Sequence, residues 1–220
     1  MKKVLEAICD LFFPLPEEDG GRWLLQEPFC GRCAQPFHAL DSSPESCPNC
    51  HGTACHFDHA RAMYLSRGSV RDMIHQFKYE RAFWLRRRLV PAITDGYRRF
   101  YDGWGHHAIV YVPLFSKRER WREFNQSEVL AEGLGLATGL PVLKALRRSR
   151  ETTVQAKLDR VARRSNVRGA FDLTDTAQVV GKKLILIDDV LTTGSTAGEC
   201  ARLLKKGGAA QVDVLVVARG

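Results

Sequence analysis

Thirteen consecutive residues, Leu184 to Thr196 (LILIDDVLTTGST), constrain this chain of 220 residues more than any other part of it. The apolar run Leu184-Ile185-Leu186-Ile187 predicts a strand buried on both faces, as in a parallel sheet. Ala197 to Lys206 (AGECARLLKK) predicts the helix that follows it. The loop between them then sits at the carboxyl end of a strand, where open α/β sheets bind ligands. Backbone N–H groups of Thr193 to Thr196, the Ser and Thr hydroxyls and the helix N-terminus all favour a phosphate, and Gly194 lets the backbone approach it closely. Asp188 and Asp189 cannot take a phosphate, because like charges repel. They suit neighbouring ribose hydroxyls or a Mg²⁺ ion instead. The ligand that fits the whole stretch is a sugar phosphate. Walker-type nucleotide binding fits less well, since no G-x-x-x-x-G-K-[ST] occurs, and no G-x-G-x-x-G follows a strand as dinucleotide binding requires.

The length admits one core of ordinary size plus a small appendage. Apolar residues make up 45% and charged residues 26%, as in soluble globular proteins, and no apolar run approaches a membrane span. Met1 to Phe13 is amphipathic through Val4, Leu5, Ile8, Leu11 and Phe12. It also carries Glu6 and Asp10 and ends at Pro14, which predicts a docking helix rather than a signal peptide. The net charge of +8 is unevenly placed. Residues 1–60 hold 4 Lys and Arg against 9 Asp and Glu, for −5, whereas residues 61–220 hold 29 against 16, for +13. A strongly basic domain suits a polyanionic ligand: a phosphorylated sugar, nucleic acid, or both.

Seven cysteines, most of them in C-x-x-C pairs, indicate metal binding in a reducing, cytoplasmic setting rather than disulfides. Cys30-Gly31-Arg32-Cys33 and Cys47-Pro48-Asn49-Cys50 form C-x2-C-x13-C-x2-C, in which two tight knuckles can supply four thiolates to one tetrahedral Zn²⁺. The intervening segment has little to bury, so the metal would largely fold the module. Cys55, His51, His56 and His59 lie close by and could replace one ligand, but four Cys already fill the site and these four read as surrounding or surface groups, while Cys9 and Cys200 read as packing residues. A site filled by four Cys is structural rather than catalytic. The expected division is residues 1–59 as helix and zinc-ribbon-like module, and residues 60–220 as the basic α/β domain.

Within that domain, Ala60 to Leu65 predicts a strand, and Ser69 is expected to cap a helix carrying Val70, Met73, Ile74 and Phe77 on one face. Lys78 and Arg81 fall at or just past its end, where the helix dipole favours cations and where Lys78 could also reach an anionic ligand. Ala82 to Phe100 continues as a second helix whose Arg86-Arg87-Arg88 run reads as a solvated face. His107 to Leu114 predicts a buried strand, followed by a loop with four cations, Lys117, Arg118, Arg120 and Arg122. Asn125 to Glu128 starts the next helix. Leu146 to Gln155 reads as a mobile loop that could close over the site, Leu158 to Asn166 as a helix, Gly169-Ala170-Phe171 as a turn, and Gln211 to Ala218 as a last strand. Alternating strands and helices imply a parallel sheet covered on both faces.

The Leu184 to Thr196 stretch resembles the signature of type I phosphoribosyltransferases, which use 5-phosphoribosyl-1-diphosphate (PRPP). That resemblance implies Asp188 and Asp189 on the ribose hydroxyls, Thr192, Thr193, Gly194, Ser195 and Thr196 around the 5′-phosphate, and Val190 among the PRPP-binding residues. It also implies Mg²⁺ accompanying PRPP, and diphosphate neutralised by cations such as Lys78, Lys117, Arg118 and Arg150. More widely, the chain is similar to the ComF/GntX-like family of competence-associated, phosphoribosyltransferase-like proteins with an N-terminal zinc ribbon. The similarity rests on the four-Cys module, Ile74-His75-Gln76-Phe77-Lys78-Tyr79, Val112-Pro113-Leu114 and Phe124-Asn125-Gln126-Ser127. Arg150 with Thr152 and Gln155, Asn166 with Gly169-Ala170-Phe171, and the PRPP loop complete it. One departure is Glu123, where the family usually has Gly. Thr192 takes the place of an Asp that acts on the ring in 6-oxopurine phosphoribosyltransferases, which argues against purine salvage.

Two functions stay open at this level. One is an enzyme that positions PRPP, stabilises the departing diphosphate and transfers phosphoribosyl to an acceptor. The other is a non-catalytic protein of DNA uptake or DNA use, which recognises PRPP, binds single-stranded DNA on its basic face and docks a partner such as a DNA-uptake helicase.

Overall fold

Side chains alternate across a strand, so a strand covered on both faces must be apolar at nearly every position. The computed structural model describes residues 20–37, 47–51, 55–151 and 165–220. Expectations for Met1 to Phe13, Cys9, Thr152, Gln155 and the helix from Leu158 as far as residue 164 lie outside the described residues. In chain order the strands are Ala60–Leu65 (β1), Ala108–Tyr111 (β2), Val142–Leu143 (β3), Leu146–Arg148 (β4), Phe171–Leu173 (β5), Lys183–Leu191 (β6) and Gln211–Arg219 (β7). The helices are Gly68–Tyr79 (α1), Arg86–Tyr101 (α2), Ser116–Arg122 (α3), Gln126–Thr138 (α4) and Ser195–Lys206 (α5).

The main sheet is five-stranded in the order β1-β7-β6-β2-β3, and every pair in it is parallel. From β6 and β7, Leu184, Leu186, Val212, Val214 and Val216 pack on one face with Ala197, Ala201 and Leu204 of α5. Ile185, Ile187, Leu215 and Val217 pack on the other face with α1, α2 and α4, through Ile74, Phe77, Ile93, Leu130 and Leu134. Each such side chain contributes about 1.5–3 kcal/mol by leaving water, which is why the two central strands carry the fold. No helix among the described residues is long and apolar enough to cross a membrane.

The cysteine segment shares this core. Leu25, Cys30, Cys33, Cys47 and Cys50 belong to the same buried cluster as Leu184 and Val214. Backbone bonds fasten it to the sheet edge, with Ala60 N donating to Arg32 O at 2.7 Å and Leu25 N to Met63 O at 3.0 Å.

Several local expectations change. Ser69 does not cap α1: the cap is Arg67 and makes no side-chain bond. Gly68 there has φ +48°, and a Cβ on it would meet the Trp23 indole at 2.6 Å, so tertiary packing fixes the helix start. A 3₁₀ turn, Phe83–Leu85, precedes α2. The stretch after β2, expected as a loop, is the helix α3. None of its residues is buried, so it carries no apolar periodicity by which sequence could reveal it. Leu146 to Arg148, expected to be mobile, pairs antiparallel with Phe171–Leu173. Three residues are too few for alternation to be read.

Candidate functional site

Strand β6 runs past its apolar stretch through Asp188 and Asp189 to Leu191, where the chain turns into α5. Gly194 is the N-cap of that helix at φ +76°, and the Phe57 ring lies 3.5 Å from where its Cβ would be. Any other residue would be strained in the backbone there, with its Cβ already in contact with the Phe57 ring. The Thr193 and Ser195 hydroxyls are 2.7 Å apart and shape the turn. Loop, hydroxyls and helix N-terminus therefore face outward from the carboxyl edge of the sheet, the geometry that favours an anion.

A cavity of about 400 Å³ opens there. Asp188, Asp189, Val190, Thr192, Gly194, Ser195 and Thr196 line it, and so do Lys78 and Arg118. Lys78 Nζ is 2.8 Å from Asp189 Oδ1, so this cation faces the acidic pair rather than merely capping the end of α1. Ser127 Oγ donates to Asp188 Oδ1 at 2.9 Å, and Asp189 N donates to the same oxygen at 3.0 Å. Burial, reinforced by the Asp189 charge, nonetheless pushes Asp188 up to about 7. Burial alone would lower Lys78, but the two Asp charges hold it above its ordinary value.

Other candidates lie elsewhere. Thr193 borders a neighbouring depression with Cys55, His56 and Arg202. Lys117 is exposed and 3.7 Å from Glu151. Arg150 donates to the carbonyls of Asn166 and Arg168 at 3.0 and 3.1 Å, closing the hairpin loop. The cavity instead gains Tyr79, Arg122, Gln126, Ser127 and Arg148. Arg148 is nearly buried over the Phe171 ring, 5.1 Å from its centroid. Burial, and then the Arg118 and Arg122 charges, lower it to about 10. Three guanidinium groups thus converge on one cavity, an arrangement that calls for a polyanion. No signal in the sequence singles out Arg148: the buried, exposed, buried pattern of Leu146-Arg147-Arg148 arises only when the strand is paired.

Glu123 adopts φ +72°, so the position where the family usually has Gly does require the left-handed region. Its carboxylate lies 2.7 Å from Arg81, itself at φ +54°, and the pair ties the end of α1 to the end of α3. Left-handed backbone costs a non-Gly residue about 1–2 kcal/mol, whereas an exposed ion pair contributes about 0–1 kcal/mol. Glu123→Gly should therefore raise the chemical-denaturation midpoint, by about 0.5–1 kcal/mol of stability. A loss above about 1 kcal/mol would show that the ion pair outweighs the strain.

The sulfurs of Cys30, Cys33, Cys47 and Cys50 all lie within 4.8 Å of one another, and all four residues are buried. Cys33 and Cys47 are 3.6 Å apart, and Cys30 and Cys50 are 3.9 Å apart. Four thiolates at about 2.3 Å from a tetrahedral Zn²⁺ stand about 3.8 Å from each other, so the donor set fits that ion with sulfur shifts of about 1 Å or less. Cys55 approaches Cys50 at 3.9 Å but stands outside the mutual cluster. His59 turns away, to Asp213 at 2.9 Å.

Comparison with known proteins agrees with this architecture. The family described as Phosphoribosyl transferase domain matches residues 110–220, which hold the end of β2, all of β3 through β7 and the acidic loop. Competence protein F of Haemophilus influenzae is 30% identical over 200 residues, covering 87% of this chain and 85% of that protein. DNA utilization protein YhgH of Salmonella typhimurium is 32% identical over 220 residues, covering 90% and 96%. Competence protein ComFC of Streptococcus pneumoniae is 26% identical, covering 86% and 87%. A phosphoribosyl transferase domain preceded by a four-Cys cluster, with relatives aligned over nearly their whole length, makes this chain a member of the ComF/GntX-like family of competence and DNA-utilization proteins.

Proposed function

We propose that the cavity binds PRPP and that the protein transfers its phosphoribosyl group to an acceptor, releasing diphosphate. The observation that carries this is the meeting, in one cavity, of the acidic pair, the hydroxyl-rich loop at a helix N-terminus and the cations Lys78, Arg118, Arg122 and Arg148. Asp188 and Asp189 accept from the ribose hydroxyls, and Thr192 to Thr196 hold the 5′-phosphate. Once ribose occupies Asp189, Lys78 is released toward the diphosphate, beside the three Arg. As the C1–O bond breaks, these cations stabilise the charge on the leaving group, while the acceptor forms the new bond to C1 and gives up its proton to solvent. Mg²⁺ arriving with PRPP would add to that neutralisation, and the Asp pair is the carboxylate set that could hold it. Zn²⁺ is the ion assigned to the four-Cys cluster, which suits a reducing cytoplasmic setting.

Pure protein incubated with PRPP, Mg²⁺ and a panel of bases, nucleosides and single-stranded DNA should release diphosphate with at least one acceptor. Absence of release with every acceptor, together with tight salt-sensitive binding of single-stranded DNA, would overturn the transferase reading.

A specific observation favours that second, non-catalytic reading. Tyr79, which lines the cavity, and Phe83 and Trp121 are large aromatic residues left exposed. Arg122 sits 4.8 Å over Tyr79, Arg86 sits 4.2 Å over Phe83, and Arg81 donates to Trp121 O. Aromatic faces interleaved with cations are what unstacked nucleic-acid bases require. In this reading PRPP acts as a signal, and the metal module docks a helicase.

A further inference from the structure

Arg219, the last residue of β7, carries a positive charge that is almost wholly removed from solvent. Its guanidinium Nε donates to Cys33 O at 3.2 Å, and Nη2 reaches Gln35 just beyond that knuckle. Nη1 donates to Leu191 O at 2.8 Å. Leu191 immediately precedes Thr192, the first residue of the phosphate loop, and is the register partner of Arg219 across the two central strands. One planar group therefore clamps a cysteine knuckle and the root of the ligand loop. A second contact runs in parallel: Phe57, two residues after Cys55 and itself buried, packs 3.5 Å from the Cβ position of Gly194 inside the loop.

Electrostatics gives the clamp a direction. Four thiolates around one Zn²⁺ carry a net charge of −2, and a buried charge needs a buried counter-charge. Arg219 is the buried cation bonded to that knuckle. Metal drawing Cys33 and its backbone into place would let the Cys33 carbonyl fix the guanidinium plane, whose other edge meets Leu191 O. Loss of the metal would then free knuckle and guanidinium from their shared geometry and loosen the root of the loop. A Lys could keep the charge but not span both carbonyls in one rigid plane.

We propose that Arg219 couples the four-Cys metal centre to the phosphate loop, so that metal loading tightens PRPP binding and PRPP in turn tightens metal binding. The inference rests on the PRPP reading given above. Coupling between two sites is reciprocal by thermodynamic necessity, and this separates it from simple bracing.

The test uses full-length, zinc-loaded protein. The equilibrium partition of zinc between protein and a chromogenic chelator is measured with and without PRPP and Mg²⁺, and PRPP affinity is measured by calorimetry before and after chelation. In the native protein PRPP should shift the equilibrium partition of zinc between protein and chelator by about fivefold or more in the protein's favour, and chelation should weaken PRPP by the same factor. Arg219→Lys should still bind zinc and PRPP, yet show the two events independent of each other. Stabilisation of the whole fold by ligand would shift the zinc partition equally in that variant, so its behaviour distinguishes a specific relay. Should Arg219→Lys fail to fold, Phe57→Leu, which keeps the clamp, decides the matter: coupling retained there supports the relay, and coupling lost overturns it. If PRPP binds the native protein while the zinc partition is indifferent to it, or if Arg219→Lys keeps full coupling, the relay is overturned and the PRPP reading stands. If PRPP does not bind at all, the PRPP reading falls and takes the relay with it. Purified protein without zinc would also overturn the relay.

Discussion

Replacing Asp188 and Asp189 together by Asn should weaken PRPP binding by more than about 100-fold and leave the protein folded. Hydrogen bonds to charged groups are worth about 1.5–3 kcal/mol each, and two of them exceed the roughly 2.7 kcal/mol that corresponds to a factor of 100. The amide matches the carboxylate in shape but presents a donor where the ribose hydroxyl also donates. Lys78 loses its partner in the double variant, but its side chain retains 22% exposure and can turn to water, so the fold tolerates the change. Calorimetry reads the affinity and circular dichroism the fold. Unchanged affinity would show that the acidic pair does not meet the sugar. The same site has a pH signature. Asp188 titrates near 7 in the folded protein, against about 3.9 for a free Asp. PRPP affinity should therefore climb as pH rises through 7, because the carboxylate must be ionised to accept. Stability runs the other way: the raised pKa favours the folded state at low pH, and this contribution is lost as pH rises through about 7.

Asp213→Ala should cost about 2–5 kcal/mol of stability, because each enclosed donor left without its acceptor costs about 1–3 kcal/mol. Asp213 lies near the start of β7 and is fully buried. One carboxylate oxygen pairs with His59 Nδ1 at 2.9 Å, and the other with His106 Nε2 at 3.0 Å and Gln211 Nε2 at 2.6 Å. Burial by itself would raise this carboxyl, but the donors from His106, His59 and Gln211 outweigh it and hold the group below its ordinary value. A depressed pKa contributes stability that is present above the unfolded value and lost as pH falls through the folded one. The truncation strands His106, whose side chain is completely enclosed. Urea denaturation measures the effect, and a loss under about 1 kcal/mol would show that the cluster relaxes around the gap. The cluster is about 20 Å along the strand from the end that carries the ligand loop, so PRPP affinity of the folded variant should be that of the native protein.

Much of the site announces itself in the linear chain because its parts are contiguous. The four-residue apolar run, the acidic pair and the loop lie within Leu184 to Thr196, and strand direction alone puts the loop on the binding edge of the sheet. The two C-x2-C knuckles likewise bring their own turn geometry. The cations were harder to assign. The alternation of β4 buries Arg148 and exposes Arg147, but it becomes meaningful only once Phe171–Leu173 pairs from more than twenty residues away. Lys117 and Arg118 are neighbours in sequence on the exposed helix α3, yet only Arg118 turns into the cavity.

Arg219 is the extreme case. In the sequence it follows an apolar strand and precedes the last glycine, with nothing to suggest that it would be buried or shared between two sites. Sheet order decides this. By inserting β7 between β1 and β6, the fold sets the last strand beside both the edge that carries the cysteine knuckles and the strand that carries the ligand loop. Local composition fixes which segments can be strands and which loops can hold a phosphate, because those depend on period and backbone chemistry over a few residues. Which cations meet that phosphate, and what braces the loop, depends on non-local pairings whose free energy comes from burying the whole sheet. That information resides in no single segment.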